Sequence, residues 1–135
     1  MQMVAQNNGP SYRESELVDG TKLVTLGGEL DVFTAEVREL LEECAEGACH
    51  VVLDMSQVTF IDSAGIALLV KTHKRLADID RGLVILRPHP SVGRIIELTG
   101  LDQVLAVANS WAAAVTILRA HDETSNQAAT PDDAT

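Results

Sequence analysis

Aromatic side chains are nearly missing from this sequence, with one Trp, one Tyr and two Phe among 135 residues. Val, Ile, Leu and Ala must therefore fill the core. Cysteine is equally sparse: Cys44 and Cys49 stand close together without the further Cys or paired His that a zinc site of about four ligands needs, even with His50 adjacent. They read as two reduced thiols near a helix-to-strand connection. Positive charge is short as well. Ten Lys and Arg face 20 Asp and Glu, a formal charge of −10, which argues against a general affinity for nucleic acid or anionic membranes. No stretch approaches the ~20 apolar residues of a membrane span, and Met1–Pro10 lacks the basic-then-apolar order of a secretory signal. The expectation is a cytoplasmic protein without a direct nucleic-acid or membrane partner.

Catalytic machinery is also missing from the pattern. There is no Walker-type loop, dinucleotide glycine pattern, metal-ligand cluster or nucleophile–base–orienter set. Ser63-Ala64-Gly65 is not a hydrolase elbow, because Ile61 stands where that motif needs Gly. A chain without enzymatic activity and without a cofactor is expected.

What is present is an apolar content of 46%, enough for one compact domain with its own core. Met1–Ser11 mixes Gln, Asn, Gly and Pro and reads as a flexible leader. Tyr12–Val18 and Lys22–Leu26 flank Asp19-Gly20, a pair suited to a tight hairpin. Phe33, Val37, Leu40, Leu41 and Cys44 recur at helical spacing after Asp31, and Gly47 suits the stop. Val51–Leu53 with Val58, Phe60 and Ile61 forms an interior strand and its exit. A helix over about 63–77, a strand at Leu83–Leu86, a short helix capped by Ser91 and ended by Gly100, a strand at Val104–Val107 and a helix opened by Ser110 follow. This alternation predicts an α/β domain over 12–120, its mixed, largely parallel sheet starting with an N-terminal hairpin and carrying about four helices. Residues 121–135 lack hydrophobic periodicity, contain Pro131 and several acids, and read as a disordered acidic tail.

The chain is organised around Val51–Leu76, VVLDMSQVTFIDSAGIALLVKTHKRL. Small polar residues, Asp62-Ser63-Ala64-Gly65, immediately precede the apolar-periodic Ile66, Leu69, Val70 and Ala77, which places Ser63 at a helix N-terminus. At about 100° per residue, Ala64, Leu68, Lys71 and Arg75 form one strip, read as the exposed one. Ile66, Leu69, Val70, His73 and Ala77 form the other, read as the core face.

Three ordered blocks resemble the STAS domain of anti-sigma factor antagonists, the SpoIIAA-like family. They are Leu26-Gly27-Gly28-Glu29-Leu30-Asp31 with Thr34-Ala35-Glu36, then Asp54 with Phe60-Ile61-Asp62-Ser63-Ala64-Gly65-Ile66, then Ser91 to Leu101. The resemblance implies that Ser63 is a phosphoacceptor, modified by an ATP-dependent anti-sigma factor serine kinase and restored by a serine phosphatase. It implies that the unphosphorylated form binds the kinase and frees a sigma factor. Ala64 stands where some relatives carry another hydroxyl, so one acceptor remains. The partner-binding set expected from the resemblance and the strip together is Asp31, Asp62, Ser63, Ala64, Gly65, Leu68 and Lys71. Asp31 and Asp62 serve equally as helix caps, and Gly65 as a close-approach or transition residue. A stressosome-like scaffold and a ligand-binding signalling module remain as alternatives.

Overall fold

The structure, a computed structural model, describes residues 11–29 and 34–134. Strands β1 (Ser11–Val18) and β2 (Thr21–Glu29) form an antiparallel hairpin. Asp19 and Gly20 both take positive φ, 51° and 83°, the paired left-handed conformation of a two-residue hairpin turn. Then come α1 (Thr34–Glu46), β3 (His50–Phe60), α2 (Ser63–Ala77), β4 (Leu83–Leu86), α3 (Pro90–Leu98), β5 (Ala106–Ala108) and α4 (Trp111–Ala134). The sheet order is β1-β2-β3-β4-β5, with β3 central and every pairing after the hairpin parallel. The architecture is the one the alternating pattern predicts.

Two apolar layers explain why Val51–Leu53 of β3 and Leu83–Leu86 of β4 read as unbroken hydrophobic runs. Successive strand residues point to opposite faces. Val51, Leu53, Met55, Leu83 and Ile85 pack with α1, α2 and α3 through Val37, Leu41, Leu69, Leu76, Val92 and Ile96. Val52, Val84 and Leu86 pack on the other face against Ala114 and Leu118 of α4. Both faces are covered along Val51–Leu53 and Leu83–Leu86, so those stretches are apolar throughout.

Four local expectations need correction. The cap of α3 is His89, whose Nδ1 accepts the Ser91 amide hydrogen at 3.2 Å. Pro90 suits the first helical position and moves the cap one residue earlier than Ser91, and the Ser91 hydroxyl instead donates to the Thr59 carbonyl at 3.1 Å. The last strand starts at Ala106, because Leu101–Gln103 forms a 3₁₀ turn closed by Val104 and Leu105 amides on the Leu101 carbonyl. The final helix continues through Ala134 where a disordered tail from residue 121 was expected. His121 and Asp122 tie its next turn to His50. The expected leader lies outside the described residues except for Ser11, which opens β1. The fourth correction, at Leu68, belongs to the site below.

The tie at His50 makes a pH prediction. Its Nδ1 accepts the Gly82 amide hydrogen at 2.9 Å, so the ring proton sits on Nε2 and is donated to Asp122 Oδ1 at 2.9 Å. A second proton would set two donors against each other at Gly82. Burial holds the His50 pKa below its ordinary value; Arg81 and His121 lower it further, and Asp122 opposes them. A base with a depressed folded pKa binds fewer protons folded than unfolded, so its contribution is complete above about pH 6.5 and is lost as pH falls towards the folded value. Urea unfolding at pH 5.5 is expected to give lower stability than at pH 7.5, and His50→Gln to flatten that difference. An equally steep pH dependence in His50→Gln would remove His50 as its source.

Candidate functional site

Ser63 is the first residue of α2 and is exposed. Asp62 precedes it with extended backbone, φ −104° and ψ −174°, and its carboxylate accepts the Gly65 amide hydrogen at 2.9 Å. Its carbonyl accepts the Ile66 amide hydrogen at 2.9 Å. One of the four amides that open any helix, that of Gly65, is thereby satisfied by a side chain, and the Ile66 bond is the first rung of the helix ladder. The Ser63 hydroxyl makes no hydrogen bond among the described residues, so it stands in solvent at the positive end of the α2 dipole. Ala64 beside it is exposed and Gly65 is buried.

The strand ends fix where this terminus lies. Glu29 at the end of β2 pairs with Phe60 at the end of β3. The Ser91 hydroxyl bond to Thr59 draws the N-terminus of α3 to the same edge. Asp54 holds the middle of β3 by accepting from the Ser56 amide and hydroxyl at 3.0 and 2.8 Å, and from Arg87 on the next strand's exit at 3.1 Å. The carboxyl ends of the parallel strands thus present Ser63, the usual position for recognition in a sheet of this kind.

Asp62, Ser63, Ala64 and Gly65 form the cap and first turn of α2. Asp31 lies outside the described residues. Leu68 does not belong to an exposed strip: it is 5% exposed and joins the main core. The buried residues of α2 are Gly65, Leu68, Leu69, Thr72 and Leu76, because α1 packs alongside α2 and rotates the buried face towards itself. Ile66, Val70 and His73 are accordingly half-buried, and Ala77 is exposed. Lys71 and Arg75 keep the exposed position read for them.

Sequence reasoning missed Phe60, taken as part of a buried strand and its exit yet 43% exposed. Its neighbour Ile61 is buried, so the chain turns between them, and a ring two residues before an acidic cap was the available signal. Cys44 and Cys49 are free thiols. Burial pushes the Cys44 thiol up, which leaves it protonated and unreactive at neutral pH. Among the described residues no group of His, Cys, Asp or Glu could hold a metal ion, and no helix is long and apolar enough to cross a membrane.

Asp62 supplies a prediction of its own. Asp62→Ala removes the acceptor for the Gly65 amide and is expected to cost about 1 kcal/mol in urea unfolding. Asp62→Asn keeps an equivalent oxygen and should recover most of that loss. An Asn variant as unstable as the Ala variant would show that charge, rather than capping, is what Asp62 contributes.

A five-stranded mixed sheet with an N-terminal hairpin, and a short acidic-capped turn presenting a serine at a helix start, define a small α/β domain class. The chain belongs to the STAS domain family, whose model matches residues 12–114. It is 37% identical over 86 residues to the anti-sigma-B factor antagonist of Staphylococcus epidermidis, covering 62% of this chain and 80% of that protein. The crystal structure of an anti-sigma factor antagonist from Mycobacterium paratuberculosis superimposes with a TM-score of 0.73 at 27% identity, over 81% of this chain and 94% of that one. SpoIIAA in its unphosphorylated form shares the fold, with a TM-score of 0.65 at 20% identity over 81% and 97% of the two chains.

Proposed function

We propose that this chain is an anti-sigma factor antagonist that works as a noncatalytic partner switch in the cytoplasm. Its unphosphorylated form binds an anti-sigma factor serine kinase and displaces the sigma factor. The kinase, using ATP and Mg²⁺, transfers the γ-phosphoryl group to the Ser63 hydroxyl with release of ADP and so ends the interaction, and a serine phosphatase restores the binding form. The observation that carries this reading is the exposed Ser63 hydroxyl, free of hydrogen bonds among the described residues, at the capped N-terminus of α2.

The physical logic separates the domain from its complex. Phosphate adds about −1.5 to −2 charges and strong acceptor oxygens. At a helix N-terminus it meets unpaired amides and the favourable end of the dipole, so the fold tolerates it. Under a fitted partner the same group must be desolvated, and unmatched burial weakens binding. Asp62, half-buried one residue away, adds a like charge that discourages close approach further.

The test is a parallel pull-down from the native host lysate with wild-type chain and Ser63→Glu, the captured proteins identified by mass spectrometry. Capture of an ATP-binding kinase by the wild type and its loss from the variant is the expected result. Equal capture by both forms would overturn the switch.

A further inference from the structure

We infer that the groove between α1 and α2 is the docking site for an acidic segment of the partner kinase. This rests on the partner-switch reading of Ser63 and names what the partner presents beside that serine.

The groove has an apolar floor and basic walls. Leu41, Leu68 and Thr72 form the floor and are 1%, 5% and 7% exposed. The Thr72 hydroxyl donates to the Leu68 carbonyl at 2.8 Å, so it is satisfied within its own helix. Arg38 of α1 rises on one side and Lys71 and Arg75 of α2 on the other, all exposed, with Glu42 as the one acid of the lining. The space between them is about 90 Å³, several times what one water molecule occupies.

Charge decides what fits there. The chain has twice as many acidic as basic residues, yet three of its ten cations line this groove. None of the three makes an ion pair among the described residues, where the ion pairs are His50–Asp122 and Arg87–Asp54. Glu36, Glu39, Glu43 and Glu46 of α1 are outside the lining. An anionic occupant is therefore favoured locally by a molecule that repels anions in general, which confers specificity more than raw affinity.

Geometry favours a helical acidic segment. Lys71 and Arg75 are four residues apart on α2, about one turn or 6 Å, and match two carboxylates at the same spacing on a partner helix. Arg38 offers its planar fork to a carboxylate from the facing wall. One apolar side chain between those carboxylates would rest on Leu41 and Leu68, as helices seated in grooves do. Lys71 follows Ser63 by eight residues, about 12 Å along α2. A surface that covers Ser63 and continues down the helix reaches the groove without a second site being invoked.

The experiment uses the full chain and the purified kinase that the wild type retains and Ser63→Glu loses. Affinity is measured by calorimetric titration from about 0.05 to 0.5 M NaCl for wild type, Lys71→Glu/Arg75→Glu, Arg38→Glu and, as a control outside the groove, Lys74→Glu. Circular dichroism checks that each variant is folded. The expected result is a loss of about tenfold or more for the double variant and for Arg38→Glu, with a weaker salt dependence, and little change for Lys74→Glu. Carbodiimide coupling adds a positional readout, because the chain has three lysines, Lys22, Lys71 and Lys74. Lys71 should be the one joined to a kinase carboxylate. If folded Lys71→Glu/Arg75→Glu and Arg38→Glu bind as wild type does while Ser63→Glu still does not, the groove assignment is overturned and the switch stands. If wild type dimerises through the groove, shown by self-association that the double variant abolishes, a second copy is the occupant and the kinase assignment is overturned. If wild type retains no kinase, the switch reading fails and takes this inference with it.

Discussion

Ser63→Ala is expected to take up no phosphate from the partner kinase at any ATP concentration, while binding that kinase as the unmodified chain does. The contrast between the two readouts is the point. Removing one hydroxyl from an exposed position that makes no hydrogen bond among the described residues leaves the cap at Asp62 and the core beneath α2 untouched, so stability should change by no more than about 0.5 kcal/mol. In the proposed switch, binding by the unphosphorylated surface would rely on shape and on the charges around it, and a methyl group satisfies the first and leaves the second alone. The acceptor oxygen, by contrast, is gone, and Ala64 offers no replacement in the adjacent position. Ser63→Glu should behave oppositely, losing tenfold or more in affinity, about 1.4 kcal/mol, without a fall in stability. One negative charge at a helix N-terminus is mildly favourable to the fold, by about 0.3–1 kcal/mol, and glutamate carries less charge than phosphoserine, so the authentic modification should weaken the complex more. Phosphate incorporation into Ser63→Ala at the wild-type rate, followed by radiolabel or intact mass, would transfer the acceptor role elsewhere.

Local chemistry makes much of this molecule legible in its sequence alone. Asp19-Gly20 suits a hairpin, the apolar run at Val51 gives an interior strand, that at Leu83 gives a strand, and Asp62-Ser63 gives a helix start; each rests on neighbours within a few residues. Leu68 shows where such reasoning stops. Helical spacing divides α2 into two plausible faces, and only the position of α1, about 30 residues earlier in the chain, decides that Leu68 and Thr72 turn inward. The same tertiary decision created the basic groove, since Arg38 reaches Lys71 and Arg75 only when the two helices lie together. His89 illustrates a different failure. Serine is a strong cap in general, but Pro90 suits the first helical position and hands the cap to the residue before it. At the end of the chain, polar composition suggested disorder at residue 121, and what composition could not convey was that His50, 72 residues before Asp122, hydrogen-bonds to it.

Leu69→Ala is expected to be among the most destabilising single changes in α2, by about 2–5 kcal/mol. Leu69 is fully buried and packs in the layer shared by β3, β4 and the three helices of that face. Truncating it removes apolar contact and leaves a cavity that the strands on one side and α1 on the other cannot both close. Against a total stability of roughly 5–15 kcal/mol for a domain, that is a large fraction, and the thermal midpoint should fall by about 10 °C or more. Lys71→Ala, two residues further along the same helix but exposed, should leave the midpoint within about 2 °C. The pair separates what α2 does for the fold from what it does for recognition. If Ser63 is presented by the rigid start of a helix, Leu69→Ala should still be phosphorylated at low temperature, where the folded population dominates, and should lose phosphorylation in parallel with its unfolding curve on warming. Lys71→Ala should show the reverse, with the wild-type melting curve and weakened kinase binding at every temperature. Loss of phosphorylation in Leu69→Ala well below its unfolding transition would mean that the first turn of α2 is unsettled separately from the core, and that the helix is held at Ser63 less by packing than by the Asp62 cap alone.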